Sequence, residues 1–170
     1  MKAADFFTLP DSLAAFAPHF PAEAPPWEWL AGIASALAAW RFDGSGLAGR
    51  EIPKGVHIEG PVHLHPSVKL PPYCVIVGPV WIGPDATLRP GAFLRGQVIV
   101  GAGSILGNAC EYKNCLIMDN VQTPHYNYVG DSLLGSRSHL AAGVICSNLR
   151  LDRKPVVVRG PDRDWDTGLR

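Results

Sequence analysis

The run IEGPVHLHPSVKLPPYCVIVGPVWIGPDAT, residues 58–87, decides the fold because an aliphatic residue stands at the start of every unit of six. The series extends beyond this run in both directions without a break in spacing. Its members are Ile52, Ile58, Leu64, Leu70, Ile76, Ile82, Leu88, Leu94, Val100, Leu106 and Tyr112. Four residues after each comes a second, mostly small position: Val56, Val62, Val68, Cys74, Val80, Ala86, Ala92, Val98, Ser104, Cys110 and Leu116.

A six-residue unit predicts a parallel β-helix, because it is too short for a pair of helices. Gly or Pro recurs inside the unit at turn positions such as Gly55, Pro61, Gly78 and Pro84. An extended segment and a turn, repeated, wind a coil whose inward residues stack on those of the next coil. Each buried Val, Leu or Ile stabilises by roughly 1.5–3 kcal/mol, so the coil needs no disulfide. We expect this all-β solenoid over residues 51–150; the period alone fixes neither its hand nor an activity.

The repeat loses its aliphatic character in TPHYNYVGDS, residues 123–132. Two of the later intervals are five residues, since the inward series continues through Ile117, Thr123, Val129, Leu134, Leu140 and Cys146. Around Thr123 the chain offers an imidazole, two phenols and an amide instead. We interpret this lapse as the mark of a working site around His125. A lone histidine is more often structural, so both interpretations stay open at this point.

The two ends of the chain follow patterns different from the repeat. Residues 1–50 contain PPWEWLAGIASALAAWRFDG, an apolar stripe at helical spacing that ends at Asp43 and Gly44. We predict an N-terminal helical cap over residues 1–50 that covers an open end of the β-helix, because such an end exposes unpaired strand edges. Residues 151–170 form a densely charged tail, which we expect to be solvated or exchanged with a neighbouring copy.

Composition excludes several classes of partner. Fifteen Lys and Arg balance fifteen Asp and Glu, so we expect no bulk electrostatic capture of nucleic acid or of an anionic membrane. The sequence has no apolar run of membrane-spanning length, and MKAADFFTLPDS lacks the apolar segment of a signal peptide. A cytoplasmic protein is therefore expected. The four cysteines form no CxxC pair and are predicted to be buried thiols.

Stacking of coils brings distant polar residues together. A resemblance to the left-handed hexapeptide-repeat proteins implies three units per coil, so residues eighteen apart lie about 4.8 Å from each other. On this map Arg89 and His125 share a face about two coils apart, while Lys113 and Asn148 lie around the adjoining corner. An imidazole suits a general base near neutral pH. A basic cluster beside His125 is therefore geometrically feasible.

The remaining histidines do not predict a metal site. His57 and His63 occupy the same slot on different faces, whereas stacking requires a separation of eighteen residues. Zinc enzymes of the hexapeptide fold use two histidines five residues apart and a distant third, and this sequence has no such pair. We expect no metal.

Four motifs between residues 82 and 154 carry more information than the period: LRPGAFLRG, GNACEYKN, PHYNYVGDSLLG and HLAAGVICSN. They resemble the acetyltransferase domain of the bifunctional N-acetylglucosamine-1-phosphate uridyltransferase and its sugar-nucleotidyltransferase-like relatives. The resemblance implies a left-handed parallel β-helix. The matching residues are Arg89, Glu111, Lys113, His125, Tyr128, Gly130, Asp131, Ala142, Gly143 and Asn148.

The resemblance also implies a reaction, which is acetyl transfer from acetyl-CoA to the amine of an amino-sugar phosphate or nucleotide sugar in a homotrimer. In that family a histidine takes the amine proton, so the implied base is His125; Glu111 either orients it or forms a salt bridge with Lys113. The implied substrate ligands are Arg89 and Lys113 for the phosphate, Tyr128 for the sugar, His139 in place of a family Asn, and Lys154. The implied acyl-donor contacts are Ala142 and Asn148.

The sequence departs from the family after the last motif. Family members continue for several coils that help to bind acetyl-CoA and carry a nucleotidyltransferase domain, whereas this sequence stops at Arg170. Either the sequence is a fragment of a longer protein, or it borrows the donor site from elsewhere, or it no longer catalyses acetylation. Two functions stay open: a hexapeptide-repeat N-acetyltransferase, and a non-catalytic β-helix module that binds a sugar nucleotide or holds a trimer together. Acyl transfer to a different amine or hydroxyl is a third.

Overall fold

Short parallel strands wind the middle of the chain into a left-handed β-helix of about five turns, which confirms the predicted fold class. The computed structural model describes residues 1–44, 46–147 and 149–169. In chain order the strands are β1 (His57–Glu59), β2 (Val62–Leu64), β3 (Val75–Val77), β4 (Val80–Ile82), β5 (Thr87–Leu88), β6 (Phe93–Arg95), β7 (Val98–Val100), β8 (Ile105–Asn108), β9 (Glu111–Ile117), β10 (Gln122–His125), β11 (Tyr128–Leu134), β12 (Ile145–Cys146), β13 (Val157–Arg159) and β14 (Asp164–Asp166).

The parallel strands form the three walls of a prism. The first wall contains β1, β3, β6, β12 and the first residues of β9 and β11. The second wall contains β2, β4, β7 and the last residues of β9 and β11. The third wall contains β5, β8 and β10. Because Ile76 pairs with Leu94 and Leu94 with Tyr112, inward positions stack in columns along the prism axis.

The interior is the column of residues that the six-residue period predicts. Fully buried members are Leu64, Ile76, Ile82, Leu94, Val100, Leu106, Tyr112 and Val129. Ile52, the first member of the series, is 45% exposed because it precedes the first coil. Leu116 was expected inward but lies outward on the second wall, since the five-residue interval after Tyr112 brings Cys115 to the inward position.

The N-terminal segment packs along the second wall rather than over an end of the prism. Its helix α1 (Glu28–Ala39) follows two 3₁₀ stretches, Ala3–Asp5 and Asp11–His19. The segment buries an aromatic and aliphatic cluster against the wall's outward side chains, which are Trp81, Ile99 and Leu116. An apolar outer wall needs cover as much as a strand edge does, and this explains the difference from the predicted end cap. The domain boundaries at residues 50 and 150 stay predictions.

The first coil is covered by the short stretch 46–50. Leu47 packs against the core, and the Arg50 guanidinium donates hydrogen bonds to the carbonyl oxygens of Val68 and of His65, the latter at 3.1 Å. A Cβ added to Gly46 would lie 2.3 Å from the carbonyl oxygen of Leu64, so only glycine fits there. The stretch 46–50 therefore covers the first coil of the β-helix, a role that we had predicted for the N-terminal helix.

The charged tail folds into an antiparallel hairpin of β13 and β14. Val158 lines an apolar groove with Phe7, Trp27 and Leu133, so the hairpin lies against the N-terminal segment. The tail was expected to be solvated or exchanged, and none of its described residues is buried; exchange with a neighbouring copy stays a prediction. Over the described ranges, no helix has the length and apolar character needed to cross a membrane.

Candidate active site

The third wall carries three of the predicted site residues. Leu88 pairs with Leu106 and Leu106 with Thr123, so Arg89 and His125 occupy this wall two coils apart, as the sequence map predicted. His139 bridges to Gln122 on the same wall, in a neighbouring outward column. Gly107 is the residue stacked between Arg89 and Pro124. In the same intermediate coil, the residue that pairs with His125 is Asn108, so Arg89 and His125 stand in adjacent columns of the wall.

His125 ends β10 and is exposed. Its backbone oxygen accepts a hydrogen bond from the Gly143 N–H at 3.2 Å, which aligns Ala142 with it in the next coil. The next residue, Tyr126, has a φ of 53° and is 65% exposed at the corner between the third and first walls. Within the described ranges, no side chain hydrogen-bonds to the His125 ring. An unengaged imidazole at a corner is accessible to a ligand.

The loss of aliphatic residues around Thr123 has a structural cause in the interior of the β-helix. The buried Tyr112 hydroxyl accepts the Gly107 N–H at 3.0 Å and lies 2.6 Å from Thr123 Oγ1. Thr123 in turn donates to the Ile105 carbonyl oxygen at 3.0 Å. Burial raises the pKa of the Tyr112 phenol well above its ordinary value, so the phenol stays protonated. Polar groups thus satisfy one another in the core directly beneath β10.

Asn127 completes this polar interior on the other side of the corner. Its side-chain amide donates to the Ala141 carbonyl oxygen at 2.7 Å, and its backbone N–H lies 3.2 Å from Cys110 Sγ. A Cβ added to Gly107 would lie 2.1 Å from backbone atoms of Pro124. The backbone on both sides of His125 is therefore held by hydrogen bonds and by a close approach that admits only glycine.

A second group of charged residues lies on the first wall, around the corner from His125. Glu111 accepts a hydrogen bond from Arg95, with Nε and Oε1 2.5 Å apart, and both side chains are partly exposed. The salt-bridge partner of Glu111 is thus Arg95, and not Lys113 as one of the two interpretations had it. The contact with Glu111 raises the pKa of Arg95 further, so this cation is permanent. An orienting role of Glu111 toward His125 stays a prediction.

Lys113 and Tyr128 belong to this first-wall group. Lys113 Nζ lies 3.4 Å from Asp131 Oδ2. The other carboxylate oxygen of Asp131 accepts a hydrogen bond from the Asn114 side-chain amide at 2.7 Å. Tyr128 lies across Gly130, because a Cβ added there would be 2.6 Å from the phenol oxygen. Arg95, Glu111, Lys113 and Tyr128 are therefore grouped on one wall of a single chain.

Among the other predicted residues, Lys154 lies apart from both groups and Ala142 lies with the third-wall group. Lys154 lines a groove of the tail with Arg150 and Asp164, and its backbone N–H donates to Asp152. Ala142 is exposed beside His125. Asn148 lies outside the described residues.

Arg95 was missed by the sequence reasoning, although a signal was present. Leu94 pairs with Tyr112, so Arg95 stacks beside Lys113 one coil away. The eighteen-residue rule that linked Arg89 to His125 also links Arg95 to Lys113.

A metal site requires several ligand side chains grouped together. Among the residues that the structure describes, no three His, Cys, Asp or Glu side chains are grouped to hold an ion.

Comparison with known proteins assigns the chain to a family. The family model of the GMPPB C-terminal domain matches residues 76–160, half of the chain. The chain belongs to this family. The match spans both wall groups, from β3 to the tail hairpin.

Individual relatives agree with the resemblance inferred from the motifs. The bifunctional protein GlmU of Methanococcus aeolicus is 38% identical over 133 residues, which are 78% of this chain and 31% of the relative. GlmU of Methanocaldococcus jannaschii is 44% identical over 55 residues, 32% of this chain and 14% of the relative. The bifunctional sugar-1-phosphate nucleotidylyltransferase/acetyltransferase of Sulfurisphaera tokodaii is 35% identical over 65 residues, 38% and 16% of the two chains. The chain thus spans less than a third of the length of these relatives.

Proposed function

We propose that this chain transfers an acetyl group from acetyl-CoA to the amine of an amino-sugar phosphate or nucleotide sugar. The observation that carries the proposal is the placement of an exposed imidazole, His125, one corner away from two cations, Arg95 and Lys113. The printed names of the GlmU-type and acetyltransferase relatives support the same class of reaction.

The chemistry requires a base for the amine. The amine nitrogen attacks the thioester carbonyl carbon, a C–N bond forms, the C–S bond breaks, and the coenzyme A thiolate leaves. His125 takes the proton from the amine nitrogen and returns it to the thiolate, a role worth about 10²–10⁴ in rate. Ala142 fits the donor side, because its small side chain beside His125 leaves room for an acyl group.

The phosphate of the acceptor suits the first-wall cations. Arg95 and Lys113 stack in adjacent coils, and each now faces a carboxylate, Glu111 or Asp131. An incoming phosphate would replace a carboxylate as the partner of Arg95 with two parallel hydrogen bonds. Arg89, which the resemblance assigns to this task, lies on the third wall instead. We therefore propose both arginines as candidates, to be separated by experiment.

A homotrimer would unite the two groups. Within one chain, a corner separates His125 from Lys113, Arg95 and Tyr128. A neighbouring copy that sets its first wall beside this third wall would bring those cations next to the imidazole. The proposal therefore includes a threefold assembly with the site between subunits, in which His139 of the third wall also faces the acceptor.

The experiment measures thiol release from acetyl-CoA with glucosamine 1-phosphate. Replacing His125 by Ala should lower kcat about 10²–10⁴-fold, whereas His57→Ala, on the first coil and also exposed, should leave it unchanged. Arg95→Ala and Arg89→Ala form a matched pair, and the one that raises KM for the sugar phosphate identifies the phosphate ligand. Turnover that is insensitive to His125→Ala would remove the imidazole from the mechanism.

A second function, a non-catalytic β-helix module for sugar-nucleotide binding or trimer formation, is favoured by one observation. Glu111 is engaged by Arg95 on another wall, so the described residues of a single chain provide no carboxylate partner for His125. Sugar-phosphate binding by calorimetry in the absence of any thiol release would favour this module.

A further inference from the structure

A cavity of about 480 Å³ lies on the third wall, in the coils that precede His125. Its polar lining residues are Ser67, Lys69, Asp85 and Thr87. The rest of the lining is apolar and consists of Leu70, Pro71, Ala86 and Leu88. The volume lies within the range of small-molecule sites, so the cavity admits a ligand of that size.

The cavity lies at the beginning of two outward columns of the third wall. Lys69 bridges to Thr87, and Arg89 follows Thr87 by two residues, so Lys69 and Arg89 belong to neighbouring columns. One column contains Lys69, Thr87, Ile105, Gln122 and His139. The other contains Pro71, Arg89, Gly107, Pro124 and Ala141. All ten residues are described, and none of them is a carboxylate, so the two cations are not neutralised within these columns.

Both cations of the third wall are without a partner in a single chain. Within the described ranges, the Lys69 ammonium and the Arg89 guanidinium form no ion pair and no side-chain hydrogen bond, and neither does the Thr87 hydroxyl. The first-wall cations differ, because Arg95 and Lys113 each contact a carboxylate. An anion must displace a carboxylate at the first wall, whereas at the third wall it finds two cations that are free to bind it.

Asp85 is the acidic residue of the cavity, and its position limits its effect. Its backbone N–H donates a hydrogen bond to the Ser67 hydroxyl at 2.7 Å, and its φ of 57° places it at the corner where the third wall begins. Its carboxylate forms no ion pair with either Lys69 or Arg89. Two cations therefore face one carboxylate, and removal of that carboxylate should favour an anion further.

The spacing of the two cations suits an anion with two phosphoryl groups. Lys69 and Arg89 lie one coil and two residues apart, which strand geometry places at about 8 Å between their Cα atoms. Arg binds a phosphoryl group through two parallel hydrogen bonds, and Lys binds one as a point charge. A diphosphate gives each cation a phosphoryl group of its own, whereas a single phosphate must be shared between them. His125 lies two coils beyond Arg89, at about 10 Å by the same geometry.

We infer that the third wall binds a diphosphate, with one phosphoryl group at Arg89, the other at Lys69, and the Thr87 hydroxyl donating a hydrogen bond between them. Two ligands of the proposed reaction contain this group, since a nucleotide sugar and coenzyme A each have a diphosphate. The orientation of such a ligand toward His125 rests on the proposed function, whereas diphosphate binding does not. If the ligand is the acceptor, the protein acts on a nucleotide sugar rather than on a sugar monophosphate.

The experiment measures the binding of pyrophosphate and of orthophosphate to the full chain by calorimetry at constant ionic strength. Lys69→Gln should weaken pyrophosphate binding about tenfold and orthophosphate binding much less, because the second phosphoryl group loses its cation. Arg41→Gln removes the same charge from an exposed position of the N-terminal segment and should change neither affinity. Asp85→Asn should strengthen pyrophosphate binding about twofold. Circular dichroism establishes that the variants fold.

Competition identifies the source of the diphosphate. Uridine diphosphate and coenzyme A are each titrated against bound pyrophosphate, and the one that displaces it at the lower concentration identifies the ligand. Displacement by neither would overturn the inference, and so would equal pyrophosphate affinities of the Lys69→Gln and Arg41→Gln variants. Pyrophosphate binding that depends on Lys69, in a protein that never releases thiol from acetyl-CoA, would refute only the proposed function.

Discussion

From β1 to β7 the interior is aliphatic and each unit has six residues, whereas from β8 to β11 two units have five residues and the core contains Tyr112, Thr123 and Asn127. Both regions are equally buried. They differ in the interactions that stabilise them. Dispersion and the hydrophobic effect stabilise the coils from β1 to β7, the lower coils. Directed hydrogen bonds between core side chains stabilise the coils from β8 to β11, the upper coils. The region with directed bonds is the one that supports His125. These hydrogen bonds hold the backbone on both sides of His125, next to Thr123 and Asn127.

The largest effect is expected from a cavity in the lower coils. Leu94→Ala should destabilise the protein by about 2–5 kcal/mol, because Leu94 is fully buried and the coil cannot collapse around the gap. Urea unfolding followed by circular dichroism measures the change. Ile52→Ala is the matched control from the same sequence series, and its effect should be within about 0.5 kcal/mol because that side chain is exposed. Equal losses in the two variants would contradict the assignment of the interior.

A smaller effect is expected from the polar upper core. Thr123→Val removes the acceptor of the Tyr112 hydroxyl without changing the volume, and should cost about 1–3 kcal/mol. The double variant with Tyr112→Phe should lose less than the sum of the two single variants, since the orphaned hydroxyl is then absent. Strict additivity in a double-mutant cycle would show that the two groups do not interact.

Stability and function should separate at Arg95. Arg95→Gln breaks a pair whose side chains are more than a third exposed, so unfolding free energy should change by about 0–1 kcal/mol. Binding of glucosamine 1-phosphate, measured by calorimetry, should weaken nonetheless. A large loss of stability with unchanged binding would assign Arg95 to the fold alone.

The smallest effect is expected from pH at the second wall. His63 stacks on Trp81 with centroids 5.5 Å apart and lies edge-on to Trp40 at 5.4 Å. Desolvation lowers the pKa of His63, an effect that Asp43 opposes and His65 reinforces. Because the folded pKa lies below the value of about 6.5 in the unfolded chain, stability from His63 is complete above that pH and is lost as pH falls through 6.5 toward the folded pKa.

Urea midpoints on both sides of that pH measure the effect. His63→Phe keeps a ring between the indoles and should flatten the pH dependence. An unchanged profile in His63→Phe would exclude this histidine as its source.

The sequence predicted the interior better than the walls, for a physical reason. A side chain that stacks inward must be apolar in every coil, so the period survives in the sequence. Contacts on the outer faces of the walls do not recur every six residues, so they leave no period in the sequence. The register change that turns Leu116 outward depends on one unit that is a residue shorter than the usual six. A signal for the covered wall was nevertheless present, since VWI, VIV and CLI at β4, β7 and β9 are apolar on both faces.

The candidate site was predicted in part. The sequence predicted that His125 and Arg89 lie on one wall, because the wall of each residue follows from counting repeat units along the chain. The pairing of Glu111 with Arg95 could not be decided in the same way, because Lys113 and Arg95 are both within reach of that carboxylate. Only side-chain geometry separates them.

The helix along the second wall limits how copies of this prism can associate. In the threefold assembly proposed above, a neighbouring copy sets its first wall beside this third wall, which leaves the helix-covered second wall facing outward. Each helix would then lie on the outer surface of the assembly, away from the site between subunits.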